Sequence, residues 1–248
     1  MEIGSRKMKI ANLVALGLIV LLGAAVITLS ILLVNDSKQG TDQRTEMQKY
    51  YDSKCASFAV QNVNLAKGQI VFVGDSITDL YILDDHYADL SLACYNRGIG
   101  GDTTAGVLRR LKVSVFDVAP SSVVLMIGTN DINGGVDEVT ILERYERIID
   151  EIYGAMPEVR LYCVSIIPQN ADIEKGGHVV LSDTTARILS INPKIRALVE
   201  EKGATFVDLF PLLADEENHL IYDYSDDGLH LNETGLSVWT RIMKPYLS

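Results

Sequence analysis

Short runs of apolar residues rich in Val and Ile recur at 70–73, 123–127, 161–167 and 205–209, with a weaker one at 93–95. Runs this short, with little alternation of polar residues, predict strands buried on both faces of a parallel sheet. Between them the spacing changes. Val139, Leu142, Tyr145, Ile149, Ile152 and Met156 follow at intervals of three or four, which predicts a helix with one apolar stripe. Ile195, Leu198 and Val199 mark another, ended by Gly203, and a last one begins near Glu233 and carries Leu236, Val238, Trp239, Ile242 and Met243. Strands alternating with helices predict an α/β fold in three layers, with the sheet between two layers of helix.

The N-terminal part follows a different pattern. Ile10 to Val34 is 25 residues without a charge, preceded by Arg6, Lys7 and Lys9. As a helix it would extend roughly 37 Å at about 1.5 Å per residue, enough to cross a hydrocarbon core of about 30 Å. The following "SILLVNDSKQG" offers no small-x-small cleavage site, so the span is expected to stay as a transmembrane signal anchor rather than to be removed as a signal peptide. Basic residues on the far side (Lys38, Arg44, Lys49) match the near side in number. The packing of Arg6, Lys7 and Lys9 against the apolar edge favours a cytoplasmic N-terminus and an extracytoplasmic C-terminal part. The expected organisation is a tail at 1–9, an anchor at 10–34, a linker and helical lead-in at 35–66, and a catalytic domain at 67–248.

The charge balance of −11 understates the acidity of that domain, because residues 1–40 hold four basic and two acidic residues and leave 18 against 31 beyond them. A surface at −13 argues against binding a phosphate backbone, so no nucleic-acid partner is expected. Cys55, Cys94 and Cys163 make an odd number. Cys163 lies inside "LYCVSII" and reads as a small core residue, while Cys55 and Cys94 could pair in an oxidising compartment.

In open parallel sheets ligands bind outside the carboxyl ends of the strands, and there the sequence turns polar. The run at 70–73 ends in Gly74-Asp75-Ser76, the weak one in "NRGIGGDTT" (96–104), the run at 123–127 in Gly128-Thr129-Asn130-Asp131, and "DDGLHLN" (226–232) follows late in the chain. Each has an ordinary explanation. Ser76 could cap a helix, Gly98, Gly100 and Gly101 could be turn glycines, Asn130 and Asp131 could form an Asx-turn, and Asp227 could be a solvated acid. Their joint occurrence at strand ends, in this order, points instead to acyl transfer.

With "GDSIT" (74–78), "NRGIGGDTT" (96–104), "GTND" (128–131) and "DGLH" (227–230), the chain resembles the GDSL/SGNH hydrolase superfamily over about residues 69–245. The resemblance implies a flavodoxin-like parallel sheet, the SGNH hydrolase fold. It also implies Ser76 as nucleophile, Asp227 and His230 as the other triad members, and Ser76, Gly101 and Asn130 as oxyanion-hole donors, with no metal or cofactor. Ile77 stands where the family name has leucine. The chemistry is coherent: a serine hydroxyl is a weak nucleophile that needs an adjacent base, and His230 is the histidine with an acid set to orient it. Losing one oxyanion donor typically costs about 10²–10³ in kcat.

The α/β-hydrolase elbow G-x-S-x-G is not met, since Thr78 occupies its fifth position. A metal-dependent phosphoesterase is a rival reading, weakened because His86, His178 and His219 show no ligand spacing. A tethered, non-catalytic binding domain is another. The expected activity is that of a serine esterase or acylhydrolase, with acylated glycans, as for a carbohydrate acetylesterase, or lipids, as for a lysophospholipase, as the substrate classes. The segments 80–90 and 168–183 are expected to line its crevice.

Overall fold

All five apolar runs form parallel strands: β1 (Ile70–Gly74), β2 (Cys94–Gly98), β3 (Ser122–Met126), β4 (Arg160–Val164) and β5 (Thr205–Val207). The computed structural model describes residues 45–173 and 183–248. The expected anchor at 10–34 and much of the polar stretch 168–183 lie outside them. Among the described residues no helix is long and apolar enough to cross a membrane. The strands lie in the order β2-β1-β3-β4-β5, the flavodoxin-like order in which the sheet winds outward from β1 on both sides.

Because successive side chains of a strand point to opposite faces, the sheet divides its residues between two cores. Val71, Val73, Val123, Leu125, Leu161 and Cys163 face one side, while Ile70, Phe72, Val124, Met126, Tyr162 and Val164 face the other. The first side is covered by α4 (Thr104–Leu111), α6 (Glu138–Ala155) and α7 (Thr184–Glu201). The second is covered by α2 (Ser76–Asp79), α3 (Leu83–Tyr87) and α9 (Glu233–Leu247), whose Trp239 packs on Phe72 and Tyr81. Each Val, Ile or Leu so buried contributes roughly 1.5–3 kcal/mol of transfer free energy. Shorter helices α5 (Thr129–Asn133) and α8 (Phe210–Leu213) follow β3 and β5. Helix α1 (Glu46–Asn62) belongs to the same compact unit as the sheet.

Side chains set the helix starts. The Asp75, Thr103, Asp137 and Asn232 side chains accept N–H groups of the first turns of α2, α4, α6 and α9, each satisfying donors that have no partner within the helix. Two apolar runs outlast their strands for a related reason. Beyond Val164 the ladder gives way to side-chain partners: Asn192 bonds both the N–H and the C=O of Ile166, and Ser165 Oγ accepts from Leu209 and Phe210. Tyr81, Leu83 and Tyr87 of the 80–90 segment turn into the core. Cys55, Cys94 and Cys163 are all free thiols, and Cys163 is buried, as a small core residue should be.

Candidate active site

The strand register makes the site. Gly74 at the end of β1 stands opposite Gly98 of β2 and Met126 of β3, so the polar turns that follow these strands leave the sheet side by side. Ser76, the first residue of α2, is partly exposed between buried Asp75 and Ile77. The Asp75 carboxylate accepts the Ile77 N–H at 3.0 Å and shapes that turn.

Three residues far apart in sequence form a hydrogen-bonded chain. His230 Nε2 lies 2.8 Å from Ser76 Oγ, and His230 Nδ1 lies 2.6 Å from Asp227 Oδ2. The other oxygen of Asp227 accepts the N–H groups of Leu229 and His230 at 2.9 and 2.8 Å. Burial works against ionisation of Asp227, but the bonds from His230 and the two backbone N–H groups prevail and hold its pKa down at about 2. The carboxylate is therefore charged at neutral pH and faces the imidazole nitrogen remote from Ser76.

The loop carrying these residues is built from its own side chains. Ser225 Oγ donates to the His230 carbonyl at 2.7 Å and accepts the Gly228 N–H at 2.8 Å. Gly228 has φ +79, and an added Cβ would stand 2.0 Å from the Asn170 carbonyl, so only glycine fits. Asn170 N–H in turn donates to the Gly228 carbonyl at 2.8 Å. Thus the start of the 168–183 stretch braces the histidine loop.

The candidate oxyanion residues stand beside Ser76. A Cβ added at Gly100 would lie 4.0 Å from Ser76 Cβ, and Gly101 follows with φ +74 in an exposed turn. Asn130 Nδ2 donates to the Asp102 carbonyl at 2.9 Å, which joins the start of α5 to that glycine turn.

Beneath them lies a charged lattice that the motif reading missed. Arg110 is buried, and its Nε donates to Asp102 Oδ2 at 2.7 Å. Its two Nη groups donate to the carbonyls of Arg97 and Gly74 at 2.7 and 2.9 Å, so one guanidinium ties the strand end before Ser76 to the turn after β2. Asp131, rather than closing an Asx-turn, accepts the N–H and hydroxyl of Thr104 at 2.8 and 2.7 Å and fixes the start of α4. Burial foremost raises the pKa of Asp75 to about 7, and the carboxyls of Asp102 and Asp131 add to this against the Ile77 bond and Arg110. Burial also raises Asp102, with Arg110 opposing. The signal for this lattice was an arginine amid the apolar positions Val107 and Leu111 of one helix. Among the described residues no group of three or more His, Cys, Asp or Glu stands together as a metal cage.

Comparison with known proteins agrees with this geometry. Residues 72–237 match the GDSL-like Lipase/Acylhydrolase family. Platelet-activating factor acetylhydrolase IB subunit alpha1 of Rattus norvegicus is 27% identical over 187 residues, which is 72% of this chain and 75% of that one. A solved Streptococcus pneumonia structure, described as a candidate platelet activating factor, superposes with a TM-score of 0.76 at 26% identity, over 89% of this chain and 99% of that one. A GDSL-like lipase of Bacteroides thetaiotaomicron gives 0.67 at 24% identity over 78% and 96%, and shares the fold.

Proposed function

Because the chain belongs to the GDSL-like lipase/acylhydrolase family and is an ester-bond hydrolase, we propose that it cleaves short-chain esters through an acyl-enzyme on Ser76. The observation that carries this reading is the chain of hydrogen bonds from Ser76 Oγ through His230 to Asp227, at 2.8 and 2.6 Å.

Neutral His230 accepts the Ser76 proton at Nε2 as Oγ bonds to the ester carbonyl carbon. The charge that develops on the carbonyl oxygen is met by the N–H groups of Ser76 and Gly101 and the Asn130 amide. Collapse of the tetrahedral species breaks the bond to the alcohol, which leaves with the proton from Nε2. Water then repeats the sequence: it gives a proton to His230, attacks the acyl carbon, and the acid departs as Ser76 regains its hydrogen. Asp227 keeps the imidazole in the tautomer that presents a lone pair at Nε2 and stabilises the imidazolium.

The acetylhydrolase and lipase names of the similar proteins favour an acetylated or short-acyl ester, on a lipid or a glycan. The 25-residue uncharged span at 10–34 favours a membrane-anchored chain whose catalytic part is extracytoplasmic. Full-length protein assayed on p-nitrophenyl acetate, butyrate, octanoate and phosphate, with and without EDTA, tests the reaction class. Ester turnover that falls with acyl length and ignores EDTA supports the proposal. Phosphate release restored by a divalent ion overturns it.

A further inference from the structure

Helix α1 lies before every motif of the site, yet its first turns reach it. A Cβ added at Gly101 would meet Met47 Sδ at 2.8 Å and Cε at 2.9 Å, so the thioether already lies against that glycine. One turn on, the Tyr50 ring edge is 3.5 Å from where a Cβ at Gly100 would be. Asp79, at the end of the Ser76 helix, joins the two elements. Its Oδ2 accepts the Gly100 N–H at 2.9 Å and the Tyr50 hydroxyl at 2.5 Å, while Oδ1 accepts Lys54 Nζ at 2.6 Å.

The helix is held firmly enough to present these groups. Tyr51 donates to the Gly106 carbonyl at 2.8 Å, and buried Arg97 bonds Gln61 and Asn62 at 3.0 and 2.9 Å while Phe58 lies on its guanidinium at 4.6 Å. These positions, 47, 51, 54, 58 and 61–62, fall on one face at helical spacing. At the near end of that face Met47 is 56% and Tyr50 43% exposed. Two large side chains thus extend the crevice outward, with apolar surface open beside the glycine turn.

From these contacts we infer that the first turns of α1 form the acyl-side wall of the crevice, with Met47 limiting the length of acyl chain accepted. This rests on Ser76 acting as the acyl-accepting nucleophile. The alcohol must leave toward His230 Nε2, which supplies its proton, so the acyl substituent is directed to the other side, over the Gly100–Gly101 turn where Met47 and Tyr50 stand. A thioether there is flexible and polarisable, suited to a chain but too bulky for a long one.

The test compares full-length wild type, Met47→Ala and Met47→Trp, reading the ratio of kcat/KM for p-nitrophenyl octanoate to that for the acetate. A side chain gained or lost in an apolar pocket changes such ratios by about 10–200-fold. Met47→Ala is expected to raise the ratio about tenfold, and Met47→Trp to lower it by a similar factor. In a second series, with the acetyl group fixed and the alcohol lengthened, the variants should track wild type. Unchanged octanoate ratios, or shifts confined to the alcohol series, overturn the inference while leaving Ser76 in its role. A wild type that neither turns over esters nor takes up a serine-directed phosphonate removes both.

Discussion

Asp227 and His230 stand three positions apart, and the Asp227 carboxylate holds the residue both ways: Oδ2 lies 2.6 Å from Nδ1 of the ring, and Oδ1 accepts the backbone N–H at 2.8 Å. With its pKa held down at about 2, this carboxylate is already ionised across the working range. The acid limb of kcat/KM should therefore show one proton, that of His230. Asp227→Asn should lose about 10²–10⁴ in kcat and move the limb to lower pH, because the charge favouring imidazolium is gone. His230→Ala should be comparably damaging and the double variant little worse, since both serve one proton transfer. Multiplying losses would make Asp227 a turn residue only.

Asp75 predicts a pH dependence of stability rather than of rate. Its pKa rises on folding from an ordinary 3.8 to about 7. Between those values the folded chain keeps a proton that the unfolded chain has lost, so stability falls as pH rises through that window, by at most about 1.4 kcal/mol per pH unit. Asp75→Asn keeps the shape and removes the slope. Its Tm relative to wild type should climb from about pH 5 to pH 8, while the histidine limb of the rate profile stays in place. A Tm difference flat with pH would show that Asp75 is ionised in the folded chain.

Arg110 and Asp102 form a buried ion pair at 2.7 Å, with both side chains almost wholly enclosed. Removing one partner of such a pair typically costs about 3–5 kcal/mol, because the other charge is left without compensation. Arg110→Met should lower the urea midpoint accordingly. Adding Asp102→Asn should recover part of the loss, since the stranded charge goes with it. A double variant worse than the sum of the singles would mean that the carbonyl contacts of Arg110, not the ion pair, dominate.

The strands and the motif ends were legible because their signals are local. An unalternating Val and Ile run has one comfortable place in an α/β domain, and four polar turns at strand ends needed no knowledge of the register to be grouped. Less legible was what joins one turn to another. Arg110 reaches Gly74 across 36 positions, and nothing beside Gly74 in the sequence announces that partner. The strand ends were overrun for the same reason: Asn192, inside a helix, takes the backbone groups of Ile166 that a sheet neighbour would otherwise hold. Met47 and Tyr50 read as part of a lead-in helix, and only the fold brings them to Gly100 and Gly101.

The most direct test of the central claim is the mass of the full-length protein after treatment with a serine-directed phosphonate, followed by peptide mapping. Wild type should gain one adduct, on Ser76, as its ester hydrolysis is lost. Ser76→Ala should gain none and be inactive while unfolding at the wild-type temperature, and His230→Ala should label far more slowly. An adduct on the alanine variant, or ester turnover that survives the substitution, would contradict the account.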